Sequence, residues 1–213
     1  MRRSRVLLVP FVLVAAMATT PTAHAAAVSP YTAHPRGHSY EDWLRMVGQF
    51  YLGDASDPLI AGLDGDCGEL RDGVFWMAAP IQVDAEFDCD VPVGTWVVLS
   101  PAGFFTTEGI DGSTDADLLA AAAAGFSHTV DWLTLDGRDV PLKTLDTGVY
   151  EVMSQPDSFY DAIIGVGTGP IRTALRGNVV VIHPLTPGEH TIASAVSFTN
   201  GDEFSATYHI HVG

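Results

Sequence analysis

Val181-Ile182-His183-Pro184-Leu185-Thr186-Pro187-Gly188-Glu189-His190-Thr191-Ile192 is followed by Ala193 to Thr199, Asn200-Gly201-Asp202 and Glu203 to Val212. This stretch reads as a strand, a Pro/Gly turn, and two alternating strands around an Asn-Gly turn. It predicts a terminal β-meander and points to an antiparallel β architecture. Burying Phe198, Val196 and Ile192 on one face sets the parity of the hairpin. A three-residue loop, Asn200-Gly201-Asp202, would set Phe198 against Phe204, Val196 against Ala206, Ser194 against Tyr208 and Ile192 against Ile210. A two-residue loop would put Glu203 and Ser205 opposite the core, which costs more than the extra loop residue.

Working outward, the rest of the chain supplies more short strands and few helices. Ser39 can cap a helix from Tyr40, whose stripe is Tyr40, Trp43, Leu44, Val47, Phe50 and Tyr51. Gly53 to Asp72 reads as a loop dense in Gly and Asp. Val74 to Ala79 is nearly continuous apolar sequence, which suits a strand covered on both faces. Ile81, Val83, Ala85 and Phe87 alternate with polar residues, and Thr95 to Leu99 is a further strand. Asp115 to Ala124 is a short Ala-rich helix stopped by Gly125. Thr129–Leu135 and Asp139–Leu142 bracket a second hairpin turn, Asp136-Gly137, and Val149–Ser154 is another strand. Ser158 to Thr173 carries no clear period. Its Gly165, Gly167 and Gly169 lack the strand-then-helix context of a nucleotide site. The expected fold is all-β and mainly antiparallel, a β-sandwich or jelly-roll-like body with one or two short peripheral helices.

Met1 to Ala25 has the form of a secretory signal. It has a basic start at Arg2, Arg3 and Arg5, an apolar run from Val6 to Ala18, and a small-x-small site at Ala23-His24-Ala25. A second cut is available after Ala27. Residues 26–38 form an extended lead-in, and 39–213 a single β-rich domain. Cleavage after Ala25 removes three of the ten basic residues and none of the 26 acidic ones, taking the formal charge from −16 to −19. Such a chain is disfavoured as a binder of nucleic acid or anionic lipid and suits cations. No later stretch has the ~20 apolar residues of a membrane span. The chain is expected outside the cell, with an extracellular ligand or protein as partner.

Cys67 and Cys89 are an even count in a chain bound for an oxidising compartment, which reads as one disulfide. Asp64, Asp66, Glu69 and Asp72 alternate around Cys67 and can gather oxygen ligands for Ca²⁺, though the twelfth position is Phe75, so this is no EF-hand. His209 and His211 share a strand face and are a candidate transition-metal pair that needs further ligands from elsewhere. His190 falls on the opposite, apolar face and is expected to hydrogen-bond backbone near its turn. Gly125-Phe126-Ser127-His128-Thr129 lacks the strand and the final Gly of a nucleophile elbow. No two of Glu41, Asp42, Glu86, Glu108, Glu151 and Glu203 stand out as a catalytic carboxylate pair. The leading expectation is binding without catalysis. The alternative is a hydrolase, metal-assisted or not, in which His34, His38, His128 or His183 meets an acid in one pocket.

The chain also resembles a family of secreted bacterial proteins of unknown function. The blocks are His34-Pro35, Ser39-Tyr40-x-x-Trp43, Asp57-Pro58-Leu59, Val74-Phe75-Trp76-Met77-Ala78 and Cys89-x-Val91-Pro92-x-Gly94. They continue as Leu135-Asp136-Gly137-x-x-Val140-Pro141, Tyr150-x-Val152-x-Ser154, Pro184-Leu185-x-Pro187-Gly188-x-His190-Thr191-Ile192 and Tyr208-His209-x-x-Val212. The resemblance implies an extracytoplasmic all-β body with a Cys67–Cys89 bridge and transfers no catalytic residue. The chain departs from the family after Trp43, where Val47, Phe50 and Tyr51 stand in a helix usually rich in tryptophan.

Overall fold

The computed structural model describes residues 27–54, 65–79 and 81–213. Among them, twelve strands form three sheets. β1 (Gly68–Arg71) and β2 (Val74–Met77) make a hairpin whose two turn residues, Asp72 and Gly73, both take left-handed backbone (φ 49° and 72°). That is the conformation an Asp-Gly turn of this type requires. β4 (Trp96–Leu99) lies parallel to β2, and β10 (Val180–Ile182) pairs antiparallel with β4, giving the order β1-β2-β4-β10.

The second sheet has the order β3-β12-β11-β6-β7. Its strands are β3 (Ala85–Val91), β6 (His128–Leu135), β7 (Arg138–Asp139), β11 (Gly188–Phe198) and β12 (Glu203–Val212). The third is β5-β9-β8, from β5 (Gly103–Phe105), β8 (Leu145–Ser154) and β9 (Gly169–Gly177). Two pairs are parallel, β2 with β4 and β3 with β12.

The first sheet is the middle layer, and its alternation shows why. Phe75, Met77, Val97, Leu99, Val180 and Ile182 pack with Phe87, Leu133, Ile192, Tyr208 and Ile210 of the second sheet. The alternate residues Val74, Val98 and Val181 pack the other way. There they meet helix α1 (Tyr40–Gly48), the π-helical turn Gln49–Gly53, and Leu145, Val152 and Leu175 of the third sheet. The unbroken apolar run of β2 is thus a strand buried on both faces. The disulfide Cys67–Cys89, with Cα atoms 5.4 Å apart, ties the start of β1 to β3 across the first of these cores.

Helix α1 begins as its sequence predicts. The Ser39 side chain accepts from the Asp42 amide, and the Asp42 carboxylate accepts from the Ser39 amide. The Ser39 hydroxyl and amide both donate to the Asp42 carboxylate, and with Arg45 nearby they hold that carboxyl below its usual range. Helix α2 (Asp115–Gly125) carries the same box at Thr114 and Asp117. The N-terminal residues 27–29 extend the middle sheet beyond β10, where the His183 amide donates to the Ala27 carbonyl at 2.6 Å and the Ser29 amide to Val181 at 2.9 Å.

The alternating strand expected from Ile81 begins at Ala85, the strand expected over Asp139–Leu142 is Arg138–Asp139, and three further expectations need correction. The Gly53–Asp72 run contains β1, because its Asp-Gly pair serves a hairpin. The unassigned Ser158–Thr173 run holds a π-helical turn (Phe159–Ile164) and the start of β9. The terminal hairpin keeps the expected faces but slides by two residues, so Val196 opposes Phe204, Ser194 opposes Ala206, Ile192 opposes Tyr208 and His190 opposes Ile210. A slip of two preserves parity, so core burial alone does not forbid it. The wider turn is held by Phe198 N–H to the Asp202 carbonyl, Gly201 N–H to the Phe198 carbonyl, and Asp202 N–H to the Asn200 side chain.

Candidate functional site

The slipped hairpin tip forms one wall of a cavity of about 370 Å³. Val196, Phe198 and Phe204 supply that wall. Tyr51 and Leu52 of the π-helical turn face it, and Ser100–Phe105, Phe159 and Leu175 close the remainder. The residues come from segments far apart in sequence and meet only where the ends of the sheets converge. Phe104 reaches its place by lying on Gly125, where a Cβ atom would stand 2.3 Å from the phenyl ring.

The polar groups around this space are already engaged. The Tyr51 hydroxyl donates to the Met77 carbonyl at 2.8 Å, and burial pushes its pKa well up. The Ser100 hydroxyl donates to the Asn178 carbonyl at 2.7 Å. At the mouth, the Asn200 amide donates to the Asp202 carboxylate at 2.7 Å. The interior therefore offers apolar and aromatic surface, with one exposed carboxylate at the entrance. Among the described side chains, no histidine lines it.

Three of the histidines weighed for catalysis, His34, His38 and His183, lie elsewhere. His183 shares a hydrogen bond with Ser29 (2.9 Å) and lies against Trp96. His34 and His38 are exposed at the lead-in, where His38 meets the Trp43 ring edge-on. His128 starts β6. His190 is buried, 7 % exposed, as its apolar face predicts. Its Nδ1 lies 2.9 Å from Asp136 Oδ2 and its Nε2 2.9 Å from the Thr186 carbonyl. Both partners accept, so the ring satisfies them together only as the imidazolium, donating from both nitrogens. Asp136 also takes the Thr191 amide, which locks the second hairpin turn to β11. This is a structural pair, with no ring nitrogen left to act as a base.

Burial opposes the charged form of His190, but the bonds from Asp136 and Thr186 and the nearby Glu189 outweigh it, so the pKa is raised. The folded state then holds a proton that the unfolded chain releases near pH ~6.5. The stabilisation from His190 is full below that pH and is lost as pH rises through the folded value. The melting-temperature gap between wild type and His190→Gln should be widest near pH ~6 and should narrow by pH ~9. A gap independent of pH would contradict a charged His190.

Three of the four acidic candidates lie within the described residues. Glu69 sits on β1 and pairs with Arg71 at 2.6 Å, and Arg71 also pairs with Asp54. Asp72 is the hairpin turn, its carbonyl accepting from Arg36 at 2.8 Å, and Asp66 is exposed. Asp64 lies outside the described residues. His209 and His211 share the outer face of β12, as expected from parity, beside Asp88 and Asp90 of β3. His211 bonds Glu189 at 2.6 Å, and that bond raises its pKa. Among the described residues, no three His, Cys, Asp or Glu side chains form a group that could hold a metal ion.

No family model matches the chain, and no curated protein matches it. Among solved structures it is similar to PbICP-C, determined in complex with falcipain-2 (10% identity, TM-score 0.29, covering 66% of this chain and 98% of that chain). It is also similar to the cysteine protease inhibitor EhICP2 from Entamoeba histolytica (11% identity, TM-score 0.26, 66% and 95%) and to Amebosin (12%, 0.23, 62% and 98%). Likeness at this level carries neither a shared fold nor a shared activity to this chain.

Proposed function

We propose that the chain is an exported, non-catalytic binding protein that takes a neutral, ring-bearing apolar molecule into the cavity at the hairpin tip. The cavity is the observation that carries this reading. Its volume, about 370 Å³, lies within the range of about 300–1,000 Å³ typical of small-molecule pockets. Phe105, Phe159, Phe198 and Phe204 suit edge and offset contacts with a ring. The carboxylate of Asp202 at the mouth and the acidic surface disfavour an anionic ligand.

Export rests on the signal pattern of Met1–Ala25 and agrees with the Cys67–Cys89 disulfide. No helix among the described residues is long and apolar enough to cross a membrane. Cleavage after Ala25 keeps the Ala27 carbonyl that binds His183, whereas a cut after Ala27 discards it, which supports the earlier cut. The family resemblance belongs to the same reading.

The test uses the neutral fluorophore N-phenyl-1-naphthylamine, titrated into the mature protein. Saturable binding is expected, and Phe198→Ala and Phe204→Ala should each weaken it about tenfold, the value of one lost aromatic contact. An anionic naphthalene sulfonate should bind more weakly. If both variants bind the neutral probe as tightly as wild type, the cavity is not its site and the reading fails.

A further inference from the structure

We propose a second binding site, for a cationic peptide segment, on the outer face of the five-stranded sheet between Trp132 and the carboxylates of Asp84 and Glu86. The strand register builds it. Trp132 on β6 stands beside Ala195 on β11, which stands beside Ser205 on β12. Ser205 in turn shares hydrogen bonds with Asp84, taking its amide (2.7 Å) and donating to its carboxylate (3.1 Å). The next row runs Thr134, Ala193, Thr207, Glu86. The two middle strands thus offer only Ala, Ser and Thr, and the flanking strands carry a tryptophan on one side and acids on the other. The result is a trough with a concave volume of about 290 Å³. Its backbone-to-backbone width is about 14 Å at the usual strand spacing, room for one extended chain once the wall side chains are in place.

Charge selects the occupant. Trp132 is 43% exposed, so a ring face is open to a ligand. Asp84 and Glu86 take part in no ion pair among the described residues. The same face continues through Asp88 and Asp90, beside His209 and His211, of which His211 is paired with Glu189, and none of these rows contains Lys or Arg. A guanidinium or ammonium over the indole, with its charge facing unneutralised carboxylates, answers both walls at once. A neutral saccharide would use the indole and the hydroxyls but leave the acids without a charge partner.

The experiment titrates a labelled peptide of alternating glycine and arginine into the mature protein and follows anisotropy in low salt and at about 150 mM salt. Trp132→Ala should weaken binding about threefold to fivefold with the melting temperature essentially unchanged. Asp84→Asn with Glu86→Gln should weaken it about fivefold, and Ala195→Arg, which places a cation in the trough, at least as much. Glu41→Gln, on helix α1, should leave it unchanged. The proposal is overturned if Trp132→Ala binds like wild type, or if Glu41→Gln weakens binding as much as Asp84→Asn with Glu86→Gln. It is overturned equally if a neutral glucose hexasaccharide binds through Trp132 with no salt dependence.

Discussion

Replacing Cys67 and Cys89 together by alanine should destabilise the protein by about 3 kcal/mol. The bridge spans a sequence separation of 22 residues. Opening a loop of that length restores about 3 kcal/mol of conformational freedom to the unfolded chain in the loop-entropy description. Both half-cystines are buried within the core shared by the first and second sheets, so the substitution also removes packed sulfur. The bridge is the covalent tie between a strand pair of the middle layer and β3, which is held in the second sheet by β12 alone. Loosening it frees the parallel β3–β12 edge. For a chain of this size the change corresponds to a fall of about 10 °C in melting temperature. Thermal unfolding of the oxidised protein beside the double variant measures it. A shift smaller than about 2 °C would mean that the sheets hold β3 without the bridge.

How much of this architecture is legible in the sequence depends on whether the signal is local. The Ser39 cap and the Tyr40-to-Tyr51 stripe are local, and helix α1 starts where they place it. Burial on both faces is written in Val74–Met77 as continuous apolar sequence, and Asp136-Gly137 marks its hairpin. The terminal hairpin is half local. Alternation fixes which face His190, His209 and His211 take, while the slip of two residues is decided by bonds inside the Phe198–Asp202 turn. Pairing partners are not local at all. β2 and β4 lie parallel only because β3 leaves to the other sheet between them, and no periodicity encodes that departure. β9 is masked by Arg172 and Arg176, whose charges are absorbed by Glu108, Asp115 and Asp146 from other elements. The cavity is the least legible feature. Its aromatic walls come from β5, the two π-helical turns and the β11–β12 tip, so each phenylalanine reads alone as core. A sequence search for polar clusters passes over a site whose polar groups are already satisfied.

Tyr208→Ala should cost about 3–5 kcal/mol, and Tyr208→Phe about 1–2 kcal/mol. The residue is fully buried, and its ring stacks on Phe87 with centroids 4.8 Å apart and planes 14° from parallel. Its hydroxyl donates to the Ala78 carbonyl at 2.9 Å, and burial raises its pKa well above the usual range, so it stays a donor. Ala78 lies just after β2, on the path by which the chain leaves the middle sheet for β3. Tyr208 therefore does two separable things. The ring fills the core between the sheets, and the hydroxyl pins the crossing. The alanine variant removes both and leaves a void beside Phe87 that rigid strands on either side cannot close. The phenylalanine variant keeps the ring and strands one buried carbonyl. Chemical denaturation of the three proteins separates the two contributions, because neither change alters the net charge. If Tyr208→Phe proves as damaging as Tyr208→Ala, the crossing and its single hydrogen bond, rather than packing between the sheets, is what joins the layers at this point.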